Sequence, residues 1–175
     1  SELLNQVISD PDVKDPAQAL SIIDKRIKEG LNKEGAAQKR HDGMDLVLCA
    51  FQPEKNLLQF AGANNHLIRI RKGEITRFNA AKHGVGGMHK ENKEFILHEI
   101  ELEKGDCFYL LSDGYVDQFG GPKGKKFMRK RLNQVLLDNS DKSMRDQKKS
   151  LDEHFKNWKG TYEQVDDVCV IGVRI

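Results

Sequence analysis

The feature that most constrains this chain is an apolar run ending on an acidic turn. Cys107-Phe108-Tyr109-Leu110-Leu111 is closed by Ser112-Asp113-Gly114, and Gly105-Asp106 turns the chain into it. A short, aromatic-rich apolar run bounded by glycines reads as a buried strand. The Asp113 carboxylate then stands where that strand emerges, beside a glycine that lets an ion or ligand approach the backbone. Taken alone, Asp113-Gly114 reads more readily as a turn, because Asp-Gly is a common turn dipeptide.

A second acidic site lies near the other end of the chain. Gln164-Val165-Asp166-Asp167 leads into Val168-Cys169-Val170-Ile171-Gly172-Val173, an apolar strand with carboxylates at its beginning. Two such strands, side by side and opposite in direction, bring Asp113 to Asp166 and Asp167. Hard divalent cations such as magnesium or manganese take oxygen ligands, usually few carboxylates and several waters. An adjacent Asp pair before a strand is also ordinary turn chemistry, so spacing alone leaves both readings standing.

The 175 residues suffice for one domain with a real core. Net charge is +2, with 32% charged and 38% hydrophobic residues, so composition demands neither nucleic acid nor a membrane surface. No apolar run approaches the roughly 20 residues needed to cross a bilayer. The cysteines Cys49, Cys107 and Cys169 each sit in an apolar stretch. Their odd count and lack of metal-like spacing argue for buried, reduced thiols in a cytoplasmic setting and against zinc. The cluster Lys123, Lys125, Lys126, Arg129, Lys130 and Arg131 reads as a solvated helix face rather than a nucleic-acid surface, since only Phe127 interleaves it.

Pattern predicts the elements in order. Leu3, Leu4, Val7 and Ile8 form a first helix over 2–9; Asp15 caps a second, with Pro16 at its first position. Leu20, Ile23, Ile27 and Leu31 form its apolar stripe, and 32–42 reads as a polar, mobile loop. Residues 44–51 are apolar on both alternating sets and predict a strand covered on both faces. Hairpins follow, through Pro53-Glu54-Lys55-Asn56 into 57–61 and through Lys72-Gly73 between 66–71 and 74–78. Residues 79–93 are irregular, and 95–102 is expected to pair with 107–111 across Lys104-Gly105. A helix over 126–138, a last helix from Met144 to Trp158 ended by Gly160, and a strand over 165–175 complete an α+β layered fold.

Four segments, in this order and spacing, resemble one family. They are Asp42-Gly43-Met44-Asp45-Leu46-Val47-Leu48-Cys49, Phe60-Ala61-Gly62-Ala63-Asn64-Asn65, the stretch from Leu111-Ser112-Asp113-Gly114 to Gly124, and Gln164-Val165-Asp166-Asp167-Val168. The chain resembles the SpoIIE/RsbU branch of the metal-dependent, type 2C-like (PPM) protein phosphatases over nearly its whole length. That resemblance implies a sandwich of two antiparallel sheets flanked by helices, with metals at one end. It implies hydrolysis of phosphoserine and phosphothreonine by metal-activated water. Carried over, Asp113 and Asp166 are the catalytic pair, and Asp113, Gly114 and Asp166 the metal-binding residues for Mn2+ or Mg2+, two ions in the complete domain.

The resemblance also implies a phosphorylated protein substrate, typically an anti-sigma-factor antagonist, and an N-terminal sensor domain in the full-length chain. Neither nucleic acid nor membrane contact is expected of this domain, and a homodimer is. One departure is large: the family's Asp followed by Gly-His-Gly, whose carboxylate bridges the two metals, is absent here. Residues 1–175 are therefore expected to be a single phosphatase domain lacking its N-terminal strands and first ligand motif, itself weak or inactive. The alternative is a phosphatase-fold module that binds without catalysing. Asp45 is as well suited to structural hydrogen bonding as to catalysis, Asp117 to orienting its turn, Asp167 to ending the strand rather than to coordinating through water, and Asn64 and Asn65 to shaping a turn.

Overall fold

The structure, a computed structural model, describes residues 2–33, 43–87 and 94–175. Its elements run α1 (Glu2–Ile8), α2 (Pro16–Lys33), β1 (Gly43–Met44), β2 (Leu46–Gln52), β3 (Leu57–Ala63), β4 (Leu67–Arg71), β5 (Glu74–Phe78), β6 (Val85–Gly86), β7 (His98–Glu101) and β8 (Cys107–Leu111). They continue with α3 (Gly114–Asp117), β9 (Phe119–Gly120), β10 (Lys125–Lys126), α4 (Arg129–Asp138), α5 (Met144–Lys159) and β11 (Val170–Arg174). The chain divides into two compact units, Ser1–His66 with Phe78–Leu102, and Leu67–Arg77 with Glu103–Ile175.

In the first unit, α2 starts as its sequence dictates. Pro16 takes the first helical position, and the Gln18 N–H donates to Asp15 Oδ1 at 2.8 Å. Leu20 and Ile23 are buried with Val7, Ala61, Ala63 and Val85, and Ile27 packs against them. The expected loop over 32–42 and the Leu31 position of the stripe fall at or beyond the limit of the described residues and side chains, as do residues 88–93. Strands β2, β3 and β7 form an antiparallel sheet in that order. The β2–β3 hairpin turns through Pro53–Lys55 and Asn56, whose φ of 48° is left-handed. Two expectations fail here. β2 is not covered on both faces: Cys49 and Phe51, on one face, are exposed, Phe51 to 54%. Residues 95–102 do not fold back on β8. His98–Glu101 pairs instead with β3, Leu58 opposite Ile100.

The second unit carries the antiparallel sheet β11-β8-β4-β5. Lys72 and Gly73, at φ 50° and 78°, make the β4–β5 turn, a pair of left-handed residues that matches strand twist. Helices α4 and α5 supply Leu132, Leu136, Leu151 and Phe155 to a core with Tyr109 and Tyr115. Both phenols are satisfied there: Tyr109 donates to Gln147 Oε1 (2.6 Å) and Tyr115 to the Leu151 carbonyl (2.7 Å). The Ser143 Oγ accepts from the Asp146 N–H at the start of α5, and Gly160 ends it. α4 begins at Arg129, later than expected, because Lys125–Lys126 pairs with Phe119–Gly120 and Met128 turns at φ 72°. β11 begins at Val170, so the segment before it is an acidic turn rather than strand. Only Cys107 of the three cysteines is buried; Cys49 and Cys169 are exposed, so an apolar sequence setting overstated their burial.

Candidate functional site

The register of the second sheet decides where the acidic residues meet. β8 and β11 are antiparallel neighbours, with Val170 opposite Leu111 and Arg174 opposite Cys107. The end of β8, carrying Asp113, therefore lies at the same sheet end as the start of β11, carrying Asp166 and Asp167. Beyond the last strand pair, the Ser112 N–H donates to the Cys169 carbonyl at 3.0 Å. The Ser112 hydroxyl donates to the Asp167 carbonyl (2.9 Å) and accepts from the Cys169 N–H (2.9 Å).

Gly114 closes the same corner. It is buried, and a Cβ there would run into the Asp167 carbonyl oxygen. Only glycine lets the backbone after Asp113 approach the backbone of Asp167 this closely. Asp113 precedes α3, and its carbonyl accepts from the Asp117 N–H at 3.0 Å. Asp166 is fixed by its own turn: Oδ1 accepts from the Asp167 N–H (2.7 Å), and its carbonyl accepts from Gln164 Nε2 (2.9 Å).

The carboxylates of Asp113, Asp166 and Asp167 are solvent-exposed, and among the described residues none is ion-paired to Lys or Arg. The donors gathered here are oxygens, the set that suits magnesium or manganese rather than zinc. Among the described residues, no three His, Cys, Asp or Glu side chains converge into a set that could hold an ion alone. An ion bound at Asp113 and Asp166 would complete its shell from backbone oxygen and water, as magnesium commonly does.

Asp45, Asn64 and Asp117 each make a local contact. Asp45 lies between β1 and β2 and accepts from Asn64 Nδ2 at 2.7 Å. Asn64 itself turns the chain at φ 63°. Asp117 pairs with Lys126 at 2.9 Å, and Arg131 lies over the Trp158 ring at 4.3 Å. His66 Nδ1 accepts from the Ala80 N–H at 2.9 Å. Ser112 and Gln164, which tie the corner together, were not singled out by sequence reasoning. The only signal for Ser112 is its place immediately before Asp113.

Comparison with known proteins now bears on this corner. The family model for Stage II sporulation protein E (SpoIIE) matches residues 4–175. The chain belongs to the SpoIIE family. No curated protein matches it. Among solved structures, this SpoIIE-family chain is similar to the SiaA-PP2C domain of Pseudomonas aeruginosa, with TM-score 0.85 and 25% identity. That match covers 99% of this chain and 66% of the SiaA chain. It also resembles the PP2C phosphatase domain with a regulatory-domain fragment of SpoIIE from Bacillus subtilis, at TM-score 0.73 and 17% identity, covering 99% of this chain and 48% of that one. The catalytic domain of the serine/threonine phosphatase PstP, in complex with 2 manganese ions, matches at TM-score 0.60 and 15% identity, with 98% and 78% covered. The chain thus spans just under two thirds of the SiaA chain and about half of the SpoIIE one. The α+β fold with antiparallel sheets is that of the PP2C phosphatases, and the chain is homologous to these hydrolases.

Proposed function

We propose that this chain is part of a SpoIIE-type serine/threonine protein phosphatase, and that Asp113 and Asp166, with a backbone oxygen of Gly114, are its metal-binding residues for Mn2+ or Mg2+. One observation carries the reading. Antiparallel β8 and β11 bring to one sheet end two exposed carboxylates that have no ion-pair partner among the described residues, where Ser112 and Gly114 lock the two backbones together. Bound there, two such ions would lower the pKa of a water from near 16 toward neutrality and offset charge on phosphoryl oxygens, with no covalent enzyme intermediate. The chain's own part is positional. The Asp166–Asp167 turn spends one Asp166 oxygen on its own amide and leaves the other for a ligand. The backbone contact at Gly114 fixes the spacing of the two acidic turns.

The substrate in this reading is a phosphorylated signalling protein, with a small anti-sigma-factor antagonist as the family expectation, and the full-length chain carries an upstream sensor. The protein acts in the cytoplasm, consistent with three free cysteines; among the described residues, no helix is long and apolar enough to cross a membrane. Edge strand β11 leaves Ile171 and Val173 about half exposed, at 52% and 50%, which favours a two-fold dimer that covers them. A second reading, a binding module without catalysis, is favoured by one observation: the described acidic groups do not by themselves complete a metal site. The discriminating experiment is phosphate release from a phosphoserine protein by the full-length protein with added manganese. We expect metal-dependent turnover that falls about 100-fold or more in Asp113→Asn and in Asp166→Asn. No turnover at any metal concentration would favour the binding module, and metal-independent turnover would overturn the metal-site reading.

A further inference from the structure

The geometry points to Ser112 as a positioning residue for the metal site: its hydroxyl, rather than any ligand of its own, sets the separation of the Asp113 and Asp166 turns. The inference rests on the metal-site reading above and adds a residue to it.

The ladder between β8 and β11 shows why a hydroxyl is needed. Ser112 and Cys169 are the next opposed residues after Leu111 and Val170. The Ser112 N–H makes its ladder bond to the Cys169 carbonyl at 3.0 Å. In a regular antiparallel pair the Cys169 N–H would return to the Ser112 carbonyl. It goes instead to the Ser112 Oγ at 2.9 Å. The side chain has replaced the backbone acceptor, which frees the chain at Ser112 to leave the strand direction and enter α3 through Asp113. The same oxygen donates to the Asp167 carbonyl at 2.9 Å. One hydroxyl therefore accepts from the Cys169 N–H and donates to the Asp167 carbonyl, a double role for a single oxygen that Ser, Thr or Tyr can fill.

The consequence for the site is geometric. Asp113 is bonded directly to Ser112, and Asp167 directly to Asp166. A hydrogen bond from Ser112 to the Asp167 carbonyl thus links the two ligand-bearing turns at one residue's remove from each ligand. Gly114 adds the close backbone contact on the other side of Asp113. Without the hydroxyl, the Cys169 N–H and Asp167 C=O lose their partner at a partly exposed position where water can replace it. The fold should survive, while the separation of the turns becomes free to vary. Groups that orient metal ligands from behind typically cost 10–100-fold in metal affinity when removed.

The test uses the full-length protein and manganese alone as probe, with affinity read by calorimetric titration. Ser112→Thr keeps the hydroxyl, and Ser112→Val has the same shape without it. The Val variant is expected to weaken Mn2+ binding about tenfold or more, and the Thr variant to stay within about twofold of the wild type. Hydrogen exchange at the Cys169 amide should quicken in Val and not in Thr. Equal affinities for Thr and Val would overturn the inference, as would equal weakening of both. Asp113→Asn and Asp166→Asn run alongside. If they lose manganese while Val keeps it, only the role of Ser112 falls. If they bind manganese like wild type, the metal-site reading falls and takes this inference with it.

Discussion

The sheet β11-β8-β4-β5 carries carboxylates at both ends, and the two ends treat them in opposite ways. At one end, Asp106 is 1% exposed and accepts from Arg71 Nε (2.7 Å), Arg71 Nη2 (2.6 Å) and the Glu103 N–H (3.0 Å). Arg71 also reaches Glu103 at 2.6 Å. The Ile175 N–H donates to the Asp106 carbonyl, and the Gly105 N–H to the Ile175 carbonyl, so β11 is tied down there too. Burial pushes the Asp106 carboxyl up, but the Arg71 bonds and the Glu103 amide outweigh it and hold the group below the ordinary carboxylate range. At the other end, Asp113, Asp166 and Asp167 are exposed and, among the described residues, have no ion-pair partner; Asp166 accepts from the Asp167 N–H, and it is their backbones that are fixed. A carboxylate that serves the fold is buried with its donors supplied. Exposed carboxylates on fixed backbones, with no cation beside them among the described residues, are what the proposed metal site needs.

Breaking the paired end should give the largest change in stability. Arg71→Ala leaves Asp106 buried without its cation, a change worth about 3–5 kcal/mol. Urea unfolding should show that loss, while manganese affinity of the folded protein stays within about twofold; a large affinity loss at constant fold would mean the two ends are not independent. Gly114→Ala tests the opposite end. Its methyl group meets the Asp167 carbonyl, so we expect a loss of about 1–3 kcal/mol, the usual cost of forcing extra volume into a packed site. Unlike Arg71→Ala, it should also weaken manganese binding. An unchanged urea midpoint would show that the corner is not as closely packed as described.

The smallest effect is one of pH. Because the folded Asp106 carboxyl is depressed, its contribution is present at neutral pH, begins to fade below its unfolded value of about 3.9, and is lost as pH falls through the folded value. The gap in stability between wild type and Asp106→Asn should therefore narrow below about pH 4. A gap that stayed constant down to pH 2.5 would mean that Asp106 is not held ionised by the fold.

Much of this contrast was legible in the sequence, and the part that was not has a physical reason. Strand β8, the turn at Lys72-Gly73, the cap at Asp15 and the stop at Gly160 follow from local chemistry, and local chemistry is what a single sequence records. Asp113 does follow the end of β8 closely, whereas Asp166 lies in a turn four residues before β11 begins. The partners of strands are not local. The hairpin expected across Lys104-Gly105 fails because β7 pairs with β3 and the two sides of β8 are taken by β4 and β11, strands distant in sequence. Coverage is not local either: 44–51 is apolar on both faces, yet Cys49 and Phe51 are exposed. Ser112 went unnoticed because a serine beside an Asp-Gly turn is ordinary until its hydroxyl is seen to replace a ladder carbonyl.

The central claim is that Asp113 and Asp166 are two ligands of one metal site. It is tested most directly by diffraction from crystals of the full-length protein grown with manganese, with data collected to give the manganese anomalous signal. The account predicts an anomalous peak within coordination distance of carboxylate oxygens from both Asp113 and Asp166. Manganese found elsewhere, with these two carboxylates bound only to water, would contradict it.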